Sequence, residues 1–126
     1  MTAGLDWSLK FLESTYKIDG FLAGSRTTNL LNERVDGTAG KFNFSKDGGP
    51  HWRAGLSFDF TSKKYDINDI GYFRRPNDYG WIGQVLYRDD IVRSVVRFWS
   101  IGAMYHLRQN FDGVEIIHSG TAEADI

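Results

Sequence analysis

The clearest pattern in the chain is an alternation of apolar and polar residues with a period of two, which marks a strand with two unlike faces. From His51 to Thr61 it is unbroken: Trp52, Ala54, Leu56, Phe58 and Phe60 fall on one face, Arg53, Gly55, Ser57 and Asp59 on the other. It recurs from Trp99 to Arg108, where Trp99, Ile101, Ala103, Tyr105 and Leu107 oppose Ser100, Gly102, Met104, His106 and Arg108. Near the start, Leu5, Trp7, Leu9 and Phe11 alternate with Asp6, Ser8 and Lys10. Fainter versions place Tyr16, Ile18 and Leu22 against Lys17 and Asp19, and Phe42 and Phe44 against Lys41, Asn43 and Ser45. Tyr79, Trp81, Val85 and Tyr87 oppose Gln84 and Arg88, although Ile82 and Leu86 blur the contrast. Phe111 to Ile117 reads as a last strand.

No segment carries a capped helical period. Ser45 to Pro50, Arg88 to Asp90 and Asn110 to Gly113 read as turns, and Arg26 to Gly37 and Ser62 to Asn77 as longer connections. These elements predict an all-β fold: an antiparallel meander of about seven strands, forming one unit over residues 1–126.

A soluble sheet turns its apolar face to a core, whereas a membrane barrel turns it to lipid. The aromatic residues lean toward lipid. Trp52 stands at one end of its strand and Phe58 and Phe60 at the other, with Ala54 and Leu56 between. Trp99 and Tyr105 bracket Ile101 and Ala103, and Trp81 and Tyr87 bracket Gly83 and Val85. At ~3.3 Å per residue, Trp52 and Phe60 stand ~26 Å apart along the strand, or ~20 Å along a tilted barrel axis, close to the height of an apolar band between aromatic girdles. The opposite face mixes Gly and Ser with Asp, Arg, Gln and His, as a hydrated lumen would. The expectation is therefore part of a transmembrane β-barrel wall. Seven strands cannot close a bacterial barrel, which takes an even number from ~8 upward, and an open sheet edge cannot face hydrocarbon. The ending Glu123-Ala124-Asp125-Ile126 supplies no aromatic closing strand, and Met1 to Lys10 carries no secretory signal, so the chain reads as a fragment of a longer protein. The alternative is a soluble lipocalin-like or β-sandwich domain that binds a small apolar ligand.

Composition narrows the function classes. Fifteen Lys and Arg against 16 Asp and Glu leave a net charge of -1, which gives no electrostatic case for nucleic acid. There is no cysteine, hence no disulfide and no thiolate metal site. No hydrolase elbow, zinc-protease helix, phosphate loop or dinucleotide fingerprint is present, and His51, His106 and His118 share no spacing. The expectation is a non-catalytic protein without cofactor or metal. Candidate lumen or rim residues are Arg53, Asp59, Arg74, Arg75, Gln84, His106 and Arg108, with Ser57 and Ser100 beside them. Asp66, Asn68 and Asp69 could offer oxygen ligands to a hard cation, but their spacing is not that of an EF-hand loop, and Asx residues also build turns.

The most distinctive stretch is Asp66 to Arg75, with its Asn68-Asp69-Ile70-Gly71 core and the Arg74-Arg75 pair, followed by Pro76-Asn77-Asp78-Tyr79-Gly80. With Phe21 to Ser25, His51 to Ala54 and Arg97 to Ile101, it resembles the barrel region of the domain-of-unknown-function 5916 family, over roughly residues 4 to 110. In that family an outer-membrane β-barrel lies behind a carbohydrate-binding domain of the family-9 type. The resemblance implies a cell outer-membrane location in a Gram-negative envelope. It also implies the lipid bilayer and the remaining strands of the full-length barrel as partners, and a role in transport or carbohydrate handling exercised through the whole protein. It offers no catalytic residues to carry over.

Overall fold

The computed structural model describes residues 1–28, 32–65, 76–91 and 98–126. Seven strands form one antiparallel sheet in sequence order: β1 (Thr2–Phe11), β2 (Tyr16–Thr28), β3 (Arg34–Lys46), β4 (Trp52–Thr61), β5 (Asp78–Asp89), β6 (Trp99–Gln109) and β7 (Glu115–Asp125). The meander read from the sequence is present, and the sheet is open, with β1 and β7 at its two edges.

Because pairing in register carries one face from strand to strand, the ladder tests the predicted faces directly. Trp7 pairs with Gly20, Gly20 with Phe42, Phe42 with Phe58, Phe58 with Trp81, and Trp81 with Leu107. Every apolar set expected on β1 to β6 thus lies on a single face of the sheet. The opposite face gathers Asp6, Asp19, Lys41, Asn43, Ser57, Asp59, Gln84, His106 and Arg108 by the same register.

Four expectations need correction. The last strand runs from Glu115 to Asp125, not from Phe111 to Ile117. Phe111 and its neighbours form the turn before it, closed by Asn110, whose side chain accepts from the amides of Asp112 and Val114. The tail from His118 to Asp125, to which no strand was assigned, pairs with β6 from Leu107 to Ser100. β2 and β3 extend into the expected Arg26–Gly37 connection, since Arg26 pairs with Asp36 and Thr28 with Arg34. Arg88 and Asp89, read as part of a turn, belong to β5, and β6 begins at Trp99.

A one-layer sheet has little to bury. Among the described residues only Ala39 and Tyr65 are buried apolar residues. Tyr65 belongs to the segment after β4, which folds back on the polar face. Ser62 donates its amide to the Thr38 carbonyl at 2.8 Å and accepts the Thr38 amide on its hydroxyl at 2.8 Å. A Cβ at Gly37 would stand 2.2 Å from the Tyr65 Cα, so only glycine admits this approach. On the apolar face Trp7 lies across Gly20, where a Cβ would meet its ring at 2.6 Å, and Phe60 and Leu22 lie across Gly40. Large side chains thus fill the gaps that glycine leaves in neighbouring strands.

A charged clamp and a polar ladder on the polar face

The polar face is organised by two lateral networks. The first stands on the row Lys41, Asp59, Gly80, Arg108. Arg108 on β6 reaches over Gly80 to β4, where its Nη2 donates to both carboxylate oxygens of Asp59 at 2.7 Å. Its Nη1 donates to Asp78 at the start of β5, also at 2.7 Å. Gly80 makes the crossing possible, because a Cβ there would stand 3.1 Å from the guanidinium carbon. Asp78 is buried and the Arg108 side chain is 17% exposed, so these charge-assisted bonds are shielded from water. Both terminal guanidinium nitrogens are engaged, and the group carries two anions against one cation. It is built to hold three strands together rather than to capture an anion.

The second network spans β2, β3 and β4. Lys17 pairs with Asp19 at 2.6 Å, Asn43 donates to Asp19 at 2.8 Å, and Ser57 donates to the Asn43 carbonyl at 2.7 Å. The Ser57 row continues through Ile82 to His106. The His106 Nε2 is buried and has no hydrogen-bond partner among the described residues. Arg53 lies at the opposite end of β4 from Asp59, its Nη1 donating to the carbonyls of Gly49 at 2.7 Å and Gly48 at 3.3 Å. Gln84 covers Gly55, where a Cβ would meet its amide nitrogen at 3.0 Å.

Of the sequence-derived candidates, Arg53, Asp59, Gln84, His106 and Arg108 therefore share one face, and Asp59 and Arg108 are bonded partners. Asp66, Asn68, Asp69, Gly71, Arg74 and Arg75 lie outside the described residues. The sequence reading missed Asp78, which follows the expected Ser62–Asn77 connection directly and opens β5. Its signal was the spacing to Gly80, which puts both on the polar face. It also missed the clip beyond the β6 end. Lys63 and Asn77, from the connection after β4, both donate to Asp112 in the β6–β7 turn, Asn77 at 2.7 Å. These two hydrogen bonds hold the Asp112 carboxyl below the usual carboxylate range.

Among the described residues, no three histidine or carboxylate side chains come together as a metal site. Residues 1–121 match the family model of a domain of unknown function, DUF5916. The chain belongs to the DUF5916 family. Neither a curated protein nor a solved structure matches it. The match takes in six strands and most of β7, so the clamp, the ladder and the clip all fall within the DUF5916 domain.

Proposed function

We propose that this DUF5916 domain is a non-catalytic segment of the wall of a bacterial outer-membrane β-barrel, with its apolar face toward lipid and its networked face toward a hydrated lumen. The observation that carries the reading is the contrast between the faces. Leu5, Leu9, Leu22, Trp52, Leu56 and Ile101 are among the exposed large residues of the apolar face, and no second layer covers them among the described residues. A water-soluble monomer rarely leaves so much contiguous apolar surface bare.

Aromatic contacts gather at both ends of that face. At one end Phe11 stacks on Tyr16 at 5.5 Å, and Tyr87 contacts Trp52 at 5.0 Å and Trp99 at 5.1 Å. Toward the other, Phe58 meets Trp81 at 4.3 Å and Tyr79 meets Phe111 at 5.2 Å. Ala54, Leu56, Gly83 and Val85 occupy the rows between, the order expected of an apolar band between two girdles. Beyond it, β2 and β3 carry on the same face the exposed pair Arg26–Asp36, whose atoms stand 2.9 Å apart. The band ends where solvent would begin.

A lipocalin-like domain would curl its apolar face inward around a ligand. Here a concavity lined by Arg53, Gln84, Leu86 and Met104 lies on the polar face, which speaks for the lipid reading. The unpaired edges of β1 and β7 require further strands in hydrocarbon, so the barrel is completed by strands beyond these seven. Transport or carbohydrate handling belongs, on this reading, to the whole protein.

The absence of cysteine makes each single-cysteine variant a unique label site. Spin labels at Leu56 and Ile101 in reconstituted chain are expected to be reached by oxygen from the bilayer, and labels at Ser57 and Gln84 by a water-soluble relaxant. Reversed accessibilities, or a chain that is monomeric and folded without detergent, would refute the proposal.

A further inference from the structure

The concavity on the polar face has a volume of about 230 Å³ and a lining of mixed chemistry. It is distinct from the Arg108 clamp, which lies toward the other end of the strands. One row of the ladder crosses it: Arg53 pairs with Leu86, Leu86 with Gly102, and Gly102 with Glu123. The next row adds Gln84 and Met104. A cation and an anion thus stand at the two ends of one row, three strand spacings or ~14 Å apart between Cα atoms. Between them lie Leu86, which leans over Gly102, and Met104. Met104 is 43% exposed, an apolar side chain left bare on the polar face.

These end groups are held open rather than paired with each other. Glu123 and Gln84 make no hydrogen bond or ion pair among the described residues. Arg53 is anchored through Nη1 to the carbonyls of the β3–β4 turn, and none of those bonds uses Nη2 or Nε. Asp47, also on the lining, accepts the Ser45 hydroxyl at 2.8 Å and is not ion-paired with Arg53. The lining therefore holds two carboxylates and one guanidinium. A simple anion is repelled by that balance, and a carboxylate is admitted only on a molecule that brings its own ammonium group.

We propose that this concavity binds a zwitterion of amino-acid to dipeptide size with apolar side chains. Its carboxylate meets the free edge of Arg53, its ammonium meets Glu123, its amide meets Gln84, and its apolar part covers Leu86 and Met104. The inference needs only that the polar face be hydrated, whether by a lumen or by bulk water.

The test titrates leucyl-leucine into the intact chain, kept folded in detergent micelles as judged by far-UV circular dichroism, with saturation-transfer NMR as the readout. Saturable binding is expected. It should weaken about tenfold, a loss of one charged contact, in Glu123→Gln, which breaks no existing bond. It should weaken similarly when N-acetyl-leucyl-leucine or leucyl-leucine amide replaces the dipeptide. Arg53→Gln should affect the dipeptide but not its amide. Absence of saturable binding, binding unchanged in Glu123→Gln (simple micelle partitioning), or equal binding of the N-acetylated peptide would each overturn the proposal. A chain that is monomeric and folded without detergent would refute the lipid reading and leave these outcomes unchanged, so the two readings can fail separately.

Discussion

Replacing Arg108 with methionine keeps most of the stem that passes over Gly80 and removes the guanidinium. Asp59 and Asp78 then face each other without a cation between them. Asp78, with a side chain 5% exposed, loses a hydrogen bond of 2.7 Å, and Asp59, 30% exposed, loses two contacts of the same length. Stranding a fully buried charge costs about 3–5 kcal/mol. Because Asp59 keeps some contact with water, about 2–4 kcal/mol is expected for Arg108→Met. Arg108→Lys restores the charge but cannot fork to two carboxylates on different strands, so it should recover only part of the loss.

The informative comparison is the triple variant Arg108→Met, Asp59→Asn, Asp78→Asn. If the damage in the single variant comes from stranded carboxylates, neutralising them should return stability to within about 1 kcal/mol of the parent. Urea unfolding of the chain in detergent, followed by far-UV circular dichroism, reads both midpoints. A single variant that loses less than about 0.5 kcal/mol, or a triple variant worse than the single, would refute the argument.

Other features of the sheet make independent predictions. Gly37→Ala places a methyl against the Tyr65 backbone and should release the segment after β4, seen as faster amide exchange at Thr38 and Ser62, with about 1–3 kcal/mol lost. Leu12, Glu13 and Ser14 all hold left-handed φ angles of 50°, 55° and 64° in the β1–β2 turn. Glu13→Gly should therefore stabilise the chain, by about 0.5 kcal/mol once the entropy of the freer unfolded chain is subtracted, as a higher urea midpoint would show. The carboxyl of Asp112 is held below its ordinary value of 3.8, so the clip it forms with Lys63 and Asn77 is intact above that value and is lost as pH falls through the lowered one. In Lys63→Met, NMR titration of Asp112 should show its pKa moving back up.

The faces were legible because a half-buried strand writes its environment every second residue. Trp52 to Phe60 and Trp99 to Leu107 sit as their alternation requires, and the ladder then places the fainter Tyr16, Ile18 and Leu22 beside them. β7 was not legible. Its residues on the apolar side are His118, Gly120, Ala122 and Ala124, the first polar and the others too small to contrast with Ser119, Thr121 and Glu123. The turn before it drew attention instead, because Phe111 and Val114 supply apolar residues without belonging to a strand. The clamp was half legible. Asp59 and Arg108 fall on the polar face by pattern, but their meeting depends on β5 lying between them with glycine at the crossing point. That is a matter of register, and register is set by pairing between segments far apart in sequence.

The two faces solve opposite problems, and this bears on how the sheet is used. On the apolar face, large side chains interlock over glycines yet remain exposed, so that surface is finished against neighbouring strands but not against anything above it. On the polar face, charged and polar groups bond sideways across strands, Arg108 to Asp59 and Asp78, and Asp19 to Asn43 and on to Ser57. Lateral pairing of this kind matters most where water is scarce or confined, since in bulk water such pairs contribute little. Among the described residues, Glu123 and Gln84 make no such bond. A face that satisfies its charges internally in one region and leaves a cation and an anion open in another has a supporting part and a receiving part. The row from Arg53 to Glu123 is the receiving part, and its occupancy is decided by whether a dipeptide loses its hold when Glu123 loses its charge.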